Sequence, residues 1–317
     1  MSVAAIAIGR NEGARLVRCL ASLNGQADPV IYVDSGSTDG SVEAARAAGA
    51  EVVELNLSVP FTAARARNEG LARLAEIDPG GVYVQFLDGD CELREGWIGA
   101  ALAEIETDSR IAVVCGRRRE RFPQASFWNR LTDAEWDTPV GEAKACGGDA
   151  LMRRAALAEV GGYRGDLIAG EEPEMCFRMR AVGWRIRRID AEMTWHDAAM
   201  TKFSQWWKRN TRAGHAYAES AALHGGSPER FRVAQTRRAL IWGAGLPLAA
   251  LLGLVITPWS LALLLAYPAQ VARLAARGMP RFRAAFLTLG RFPEAQGVLR
   301  YWRGRLSSRR GGLIEYK

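Results

Sequence analysis

The chain has 317 residues, of which 49% are hydrophobic, and its formal net charge is +7. The charge is unevenly divided: residues 1–200 hold 23 Lys and Arg against 31 Asp and Glu, whereas residues 201–317 hold 19 against 4. This asymmetry argues against one uniform domain. We expect a soluble domain rich in carboxylates, followed by a basic segment with a different task.

The start of the chain predicts a buried strand rather than an export signal. The apolar residues 3–8 follow no basic region and precede Gly9-Arg10-Asn11-Glu12 instead of a cleavage site. The five cysteines are odd in number, widely spaced and without a paired motif. Reduced, mostly buried thiols in a cytosolic domain are therefore expected, and no His/Cys cluster indicates zinc.

From residue 1 to about 195, short β-rich runs alternate with helical patterns. The strand-like runs cover residues 30–33, 52–55, 82–87 and 111–115, and the helical patterns cover residues 41–48, 62–77 and 95–106. This alternation predicts an α/β domain with a mostly parallel, doubly wound sheet flanked by helices. Ligands of such sheets bind beyond the carboxyl ends of the strands. No Gly-x-Gly-x-x-Gly follows the first strand, which disfavours a dinucleotide-binding fold.

Asp88-Gly89-Asp90 follows the buried run 82–87 and is the strongest chemical signal in the chain. Two carboxylates separated by one small residue can hold a hard divalent cation that neutralises phosphate charge. Gly89 would let a bulky ligand approach the backbone. An ordinary turn also uses these residues, but this motif is the third acidic strand end in a series, after Glu12 and Asp34.

A second acidic cluster, Glu171-Glu172-Pro173-Glu174, precedes the helical stretch 175–182. Carboxylates at a helix start are favoured by the helix dipole alone. Pro173 at a first-turn position fixes where the helix begins. We therefore expect Glu171 and Glu172 to project from the loop before the helix.

Residues 239–272 contain no charged side chain, and basic residues flank this run on both sides. Thirty-four residues are long for one membrane-spanning helix and short for two, and Thr257-Pro258 near the middle indicates a turn. Positive flanks favour both ends on the cytoplasmic side, which predicts a helical hairpin in the membrane. A buried helical pair in a soluble fold is the alternative. A nucleic-acid-binding patch fits the basic flanks less well than a lipid headgroup surface, so no nucleic-acid partner is expected.

The motifs appear in the order seen in family-2 glycosyltransferases, which residues 1–200 resemble. The segments that carry the resemblance are Gly9-Arg10-Asn11-Glu12, residues 33–41, residues 66–70, residues 86–90, residues 147–150 and residues 170–178. The resemblance implies a GT-A fold and an inverting transferase that uses a nucleotide-diphosphate sugar with Mn²⁺ or Mg²⁺. The apolar and basic tail resembles the bacterial, membrane-associated members of the family.

The resemblance also assigns roles to single residues. It places Asp34, Arg67 and Asn68 at the base and ribose, Asp88 at the ribose or sugar, and Asp90 on the metal. The residues assigned to the nucleotide-sugar site are Arg10, Asn11, Glu12, Asp34, Arg67, Asn68, Asp88 and Gly89. Local capping is the alternative role for Asp34. His196 is either a metal or diphosphate ligand or a structural histidine.

In the family the second carboxylate of the acidic pair after the sheet is the general base, which corresponds to Glu172. The family usually has Asp at this position, so the longer Glu172 leaves Glu171 as a rival. The implied reaction is a single in-line displacement, in which the base takes the proton of the acceptor hydroxyl. A non-catalytic nucleotide-sugar-binding relative and a nucleotidyltransferase on a similar sheet remain alternatives.

These expectations give one domain scheme and one cellular setting. The catalytic domain covers residues 1–200, with a donor part to about residue 115 and an acceptor part from about residue 116. Connecting helices follow at 201–238, the hairpin at 239–272 and a basic tail at 273–317. The donor is expected to be a UDP-sugar, and the acceptor lipid-linked or a saccharide, in bacterial surface polysaccharide or glycolipid synthesis. The catalytic domain is expected at the cytoplasmic face of the plasma membrane. Self-association and assembly partners stay open.

Overall fold

The computed structural model describes residues 3–307, so residues 308–317 of the predicted basic tail lie outside the described part. The chain forms two compact units. The first runs to Leu167 and then from Glu171 to Ala199, and the second holds Ile168–Gly170 and everything described from Met200 onward.

One mixed sheet organises the first unit. The strands of the described chain are β1 Ala4–Gly9, β2 Val30–Asp34, β3 Glu51–Glu54, β4 Tyr83–Asp88, β5 Cys91–Leu93, β6 Ile111–Glu120, β7 Gly141–Glu142, β8 Ala150–Arg153 and β9 Arg185–His196. Their order in the sheet is β3-β2-β1-β4-β8-β6-β9-β5, and β7 pairs with β9. Strand β6 continues past residue 115, where the donor and acceptor parts were expected to divide.

Among the described strands, the predicted parallel direction is right for four of the eight strand pairings and wrong for the other four. Strands β3, β2, β1 and β4 are mutually parallel, as are β6 and β9. Strand β8, however, runs antiparallel to both β4 and β6, and β9 pairs antiparallel with β5 and β7. The sheet is therefore mixed rather than mostly parallel. Strands β5, β7 and β8 have four residues or fewer, too short for a periodic signal.

Helices cover the sheet of the first unit. They are α1 Ala14–Leu23, α2 Ser41–Ala47, α3 Ala63–Ile77, α4 Trp97–Ile105, α5 Phe127–Trp136, α6 Arg154–Glu159 and α7 Glu171–Ala181. In α1 the buried residues Leu16, Cys19, Leu20 and Leu23 recur at helical spacing, so one stripe faces the sheet. Thr62 caps α3, because its side chain accepts a hydrogen bond from the Arg65 N–H. Both faces of β1 are buried in the core.

The second unit is helical within the part that the structure describes. Its helices are α8 Phe203–His224, α9 Val233–Leu240, α10 Leu246–Gly253, α11 Ala266–Ala276, α12 Arg281–Leu289 and α13 Arg291–Leu306. A π-helical turn, Ile241–Gly245, joins α9 to α10, and a 3₁₀ segment, Pro258–Leu265, leads into α11. No helix among the described residues is both long and apolar enough to cross a membrane. The membrane attachment of residues 239–272 stays a prediction.

Glycines allow α8 and α13 to approach at backbone distance. A Cβ added to Gly214 would lie 2.0 Å from the Glu294 carbonyl oxygen, and one added to Gly297 would lie 2.0 Å from that of Thr211. Neither contact can be relieved by turning a side chain, because the obstructing atoms belong to the main chain. The two helices can therefore keep this separation only with glycine at these positions.

Substitution of Gly214 by valine is expected to destabilise the second unit by roughly 3 kcal/mol, because the added atoms push α8 away from α13. Hydrogen exchange of the α8 and α13 amides should accelerate accordingly. Gly226→Val is the matched control, since nothing lies within 4 Å of a Cβ at that exposed turn position. Equal exchange in both variants would contradict the proposed close packing.

Candidate active site

The carboxyl ends of β1, β2 and β4 meet at one edge of the sheet. Gly9 at the end of β1 lies beside Asp34 of β2, and Ile8 lies beside Asp88 of β4. The residues predicted from motifs far apart in sequence are thus brought together by strand register. This is the edge at which open α/β sheets bind ligands.

Asp34 is buried, and both oxygens of its carboxylate accept hydrogen bonds from neighbouring residues. Oδ1 accepts a hydrogen bond from the Tyr32 hydroxyl at 2.9 Å, and Oδ2 accepts the N–H groups of Gly36 and Ser37, each at 2.8 Å. These bonds fix the loop after β2. The alternative of local capping therefore accounts for this carboxylate, and its predicted contact with the base or ribose stays a prediction.

The loop after β1 is tied to the loop after β2. Asn11 has a positive φ of 55°; its N–H donates to Ser37 Oγ at 2.9 Å, and its side-chain oxygen accepts the Thr38 N–H at 2.8 Å. Glu12 pairs with Arg15 at 2.8 Å, and the Arg10 guanidinium lies 4.7 Å from the Phe61 ring centroid. The three predicted donor-site residues Arg10, Asn11 and Glu12 therefore line one loop.

Arg67 joins two candidate carboxylates. It projects from α3 and is 3% exposed, and its guanidinium donates to Asp88 Oδ1 at 2.8 Å and to Glu171 Oε1 at 2.9 Å. The nearby carboxylates outweigh burial and raise the pKa of Arg67 above its ordinary value, so the group stays charged. This bridge connects the end of β4 to the start of α7.

Asn68 is adjacent to Arg67 but faces a different partner. Its side-chain nitrogen donates to the Tyr163 carbonyl at 2.7 Å, and its side-chain oxygen accepts the Tyr163 N–H at 2.9 Å. Both ends of the amide therefore hold the loop that contains Tyr163. The structure gives Asn68 a supporting role, and its predicted contact with the base stays a prediction.

Gly89 packs closely against the end of β1, a contact that the sequence does not reveal. Its N–H donates to the Ile8 carbonyl at 2.8 Å, and an added Cβ would lie 3.1 Å from the same oxygen and 3.3 Å from Glu12. A side chain here would crowd the end of β1. Gly89 thus seats the Asp88-Gly89-Asp90 turn against β1, whereas its predicted contact with the donor remains untested.

Asp90 and His196 form the pair that fits a divalent metal. Asp90 lies between β4 and β5, His196 ends β9, and the Asp90 Oδ2 and His196 Nε2 atoms are 3.1 Å apart. Strand β9 extends from Arg185 to His196, so His196 is the last residue of the strand. Register with β5 places His196 directly beside Cys91.

The chemistry of this pair agrees with Mn²⁺ or Mg²⁺ binding. Burial, and after it the nearby Arg118 guanidinium, lower the pKa of His196 to about 4, so the imidazole is neutral and offers a lone pair. The carboxylate supplies the hard oxygen ligand that both ions prefer. Cys91 is close enough to be a third ligand. Burial raises its pKa well above the ordinary value, so it is protonated and a poor ligand.

Glu171 and Glu172 are the first two residues of α7, not residues of the preceding loop as predicted. Pro173 occupies the third position, where its missing N–H has no intrahelical partner to lose. The two carboxylates diverge: Glu171 reaches Arg67, whereas Glu172 is 5% exposed and accepts the Cys146 N–H at 2.6 Å and the Cys176 thiol at 3.0 Å on Oε1. Both hydrogen bonds are made to the same oxygen of Glu172.

Two residues of this site received no role from the sequence. Asp149 is fully buried; it accepts the Asp88 N–H at 3.1 Å and forms an ion pair with Arg118 at 2.9 Å. The Arg118 guanidinium also lies 5.5 Å from the Trp136 ring, which packs 4.6 Å from the His196 ring. The glycine pair before Asp149 signalled a close approach, whereas Arg118 is one of three consecutive arginines and carried no distinguishing signal.

Solved structures show which class of protein has this fold. The mannosyltransferase PcManGT from Pyrobaculum calidifontis, in complex with GDP-Man and Mn²⁺, has a TM-score of 0.62 and 19% identity, covering 94% of this chain and 88% of that one. Glucosyl-3-phosphoglycerate synthase from Mycobacterium tuberculosis, with Mn²⁺, UDP and phosphoglyceric acid, has a TM-score of 0.51 and 19% identity over 72% and 80% of the two chains. The fold is that of the GT-A glycosyltransferases, as predicted, and these neighbours hold a divalent metal with a nucleotide or nucleotide sugar.

The sequence match identifies the domain. Residues 6–161 match the family described as Glycosyl transferase family 2, so this part of the chain is a family-2 glycosyltransferase domain. The pre-mycofactocin glycosyltransferase of Mycobacterium tuberculosis is 28% identical over 228 residues, which are 68% of this chain and 46% of that protein. The chain spans about half the length of the curated relatives it matches first. The predicted family is confirmed.

Proposed function

We propose that this protein transfers a sugar from a nucleotide-diphosphate sugar to an acceptor hydroxyl, with inversion at the anomeric carbon. The contact between Asp90 and His196 is the observation that carries this proposal. It lies at the sheet edge where the resemblance expects the diphosphate. The protein would use Mn²⁺ or Mg²⁺, and the ions bound in its structural neighbours support this choice.

The charges around this edge support the proposal that a cation takes part. Asp88, Asp90 and Asp149 lie close together, and two arginines, Arg67 and Arg118, are bound to two of these carboxylates. A diphosphate would bring further negative charge to the same place. A divalent ion on Asp90 and His196 would offset that charge and stabilise the departing diphosphate.

Glu172 is proposed as the general base. Because both of its hydrogen bonds fall on Oε1, Oε2 is the oxygen that would take the proton of the acceptor hydroxyl. The acceptor oxygen then attacks the anomeric carbon as the bond to the diphosphate breaks. One displacement without an enzyme nucleophile inverts the configuration. Glu171, held by Arg67, is the rival base and otherwise keeps Arg67 in place beside Asp88.

The acceptor is proposed to be lipid-linked or a saccharide, in the assembly of a bacterial surface polysaccharide or glycolipid. The uncharged run 239–272 and its basic flanks support this choice, since they would hold the catalytic unit at a membrane where lipid-linked acceptors concentrate. The proposed location is the cytoplasmic face of the plasma membrane. The donor base is proposed to be uracil.

A donor screen tests this function. The protein is incubated with UDP- and GDP-sugars in Mn²⁺, and thermal unfolding and donor hydrolysis are followed. The correct donor at about 100 times its Kd should raise the Tm by ~5 °C, and EDTA should abolish that rise. Matched nucleoside monophosphates are the control. If no donor shifts the Tm or is hydrolysed, the proposed function is wrong.

A further inference from the structure

The second unit carries an exposed apolar tip, defined here as residues 248–265. The tip contains the turn between α10 and the 3₁₀ segment, and Val255, Ile256 and Trp259 are 90%, 87% and 82% exposed. Leu251, Leu252 and Leu265 are each at least 60% exposed. No charged residue occurs in the tip. Water-facing surfaces of monomers rarely carry so many contiguous apolar side chains.

The N–H groups of this turn find hydrogen-bond acceptors within the turn itself. The N–H groups of residues 254 to 257 donate to the carbonyl groups of Leu251, Leu252 and Gly253. The Trp259 N–H donates to Thr257 Oγ1, and the Ser260 N–H donates to the Thr257 carbonyl. Pro258 has no N–H to satisfy. Water could satisfy these donors but hydrocarbon could not, so their internal bonding suits a turn that enters hydrocarbon.

The two arms of the hairpin are held together by polar contacts that also remain internal. The Ser260 hydroxyl donates to the Ala250 carbonyl at 2.8 Å. A Cβ on Gly253 would lie 2.5 Å from that of Ser260, so the arms touch near the turn. Further from the turn, the Tyr267 hydroxyl donates to the Trp242 carbonyl. The hairpin therefore presents apolar side chains outward while the Ser260 and Tyr267 hydroxyls donate within it.

The dimensions of the hairpin fit half of a bilayer. The helical arm from Ile241 to Gly253 rises roughly 20 Å at 1.5 Å per residue, which is about half of the ~40–45 Å thickness of a bilayer with its headgroup regions. Arg237 and Arg238 before the uncharged run, and Arg273 and Arg277 after it, are exposed. These four charges form a basic collar on both arms at the end away from the tip, where anionic headgroups would lie.

We propose that the tip inserts among the acyl chains of one leaflet of an anionic membrane, and that both arms return to the same side. The collar then binds the headgroups. Trp242 and Tyr267 lie at the boundary between the headgroups and the acyl chains of that leaflet. This attachment is an embedded hairpin and not a pair of membrane crossings. It does not depend on the proposed transfer reaction, because it is measured without donor or acceptor.

Binding of the full chain to vesicles tests insertion. With vesicles of phosphatidylcholine and phosphatidylglycerol, wild-type protein should co-sediment and stay bound in 1 M salt, since apolar burial is not screened. The double variant Val255→Asp/Ile256→Asp should lose at least ~100-fold in partitioning, because each aliphatic side chain loses its burial in lipid. Val59→Asp/Val140→Asp is the matched control, because both valines are about half exposed outside the tip, and it should bind like wild type.

The depth of the tip in the bilayer distinguishes insertion into one leaflet from a crossing of both leaflets. The five native cysteines are buried, so a fluorophore can be attached selectively to Val255→Cys. Lipids that carry a quencher in the acyl chain should quench it, and an impermeant quencher should not reach it from either side of the vesicle. Quenching by reagent trapped inside the vesicle would show a crossing and overturn the proposal. Release of wild type by salt alone, or a stable dimer that buries the tip without lipid, would overturn it as well.

Discussion

Asp90→Asn is expected to reduce sugar transfer by roughly 100-fold or more while the protein stays folded. The amide is a weaker ligand than the carboxylate, and a cation beside the diphosphate contributes several kcal/mol to transition-state stabilisation. The variant should also lose the thermal stabilisation that Mn²⁺ gives to wild type without any donor. Initial rates and thermal unfolding in Mn²⁺ and in EDTA measure both effects.

Asp190→Asn provides the control for this variant. Asp190 is an exposed residue of β9, the strand that also carries His196, so the same chemical change is made away from the pair. It should keep wild-type rates and the wild-type response to Mn²⁺. Full activity of Asp90→Asn, together with full activity of wild type in EDTA, would remove the metal from the proposed reaction.

Glu172→Gln is expected to lower kcat by roughly two to four orders of magnitude, the range for loss of a general base. The variant should bind donor normally, because a glutamine oxygen can still accept the hydrogen bonds from the Cys146 N–H and the Cys176 thiol. Single-turnover rates and the KM for donor separate these two effects.

Glu171→Gln distinguishes the two carboxylates. It weakens an ion pair with Arg67, which is almost completely buried, so it should lower stability and raise the KM for donor more than it lowers kcat. Glu95→Gln, at an exposed position, is the neutral control. If the large loss of kcat follows substitution of Glu171 and not of Glu172, Glu171 is the base.

Much of the first unit could be predicted because its signals are local. The runs at 30–33 and 82–87 correspond to β2 and β4, and the pattern 62–77 corresponds to α3. The ordered motifs identified the family and the GT-A fold. The direction of β8 could not be predicted, because a four-residue strand between glycines and a short helix carries no information about its neighbours.

Within the site, local sequence signals likewise identified residues but not the contacts that their side chains make. Asp34 and Asn68 stood out as motif residues, but their side chains satisfy neighbouring backbone groups, and motif order cannot distinguish a ligand contact from a supporting one. Arg118 gave no signal, because its importance comes from Asp149 and Trp136, which are distant in sequence. The charge-free run and a turn near its middle were visible in the sequence, whereas the hydrogen bond from the Ser260 hydroxyl to the Ala250 carbonyl, which joins the two arms, was not.

The sequence by itself determined the longer elements of the first unit, the family resemblance and the identity of the acidic residues, because hydrophobic period, turn residues and motif order are properties of short segments. Only the tertiary structure decided that Asp90 meets His196, that Arg67 joins Asp88 to Glu171, and that Glu172 rests against Cys146 and Cys176. These contacts join residues up to 106 positions apart. They depend on strand register and helix placement, which the packing of the whole core selects.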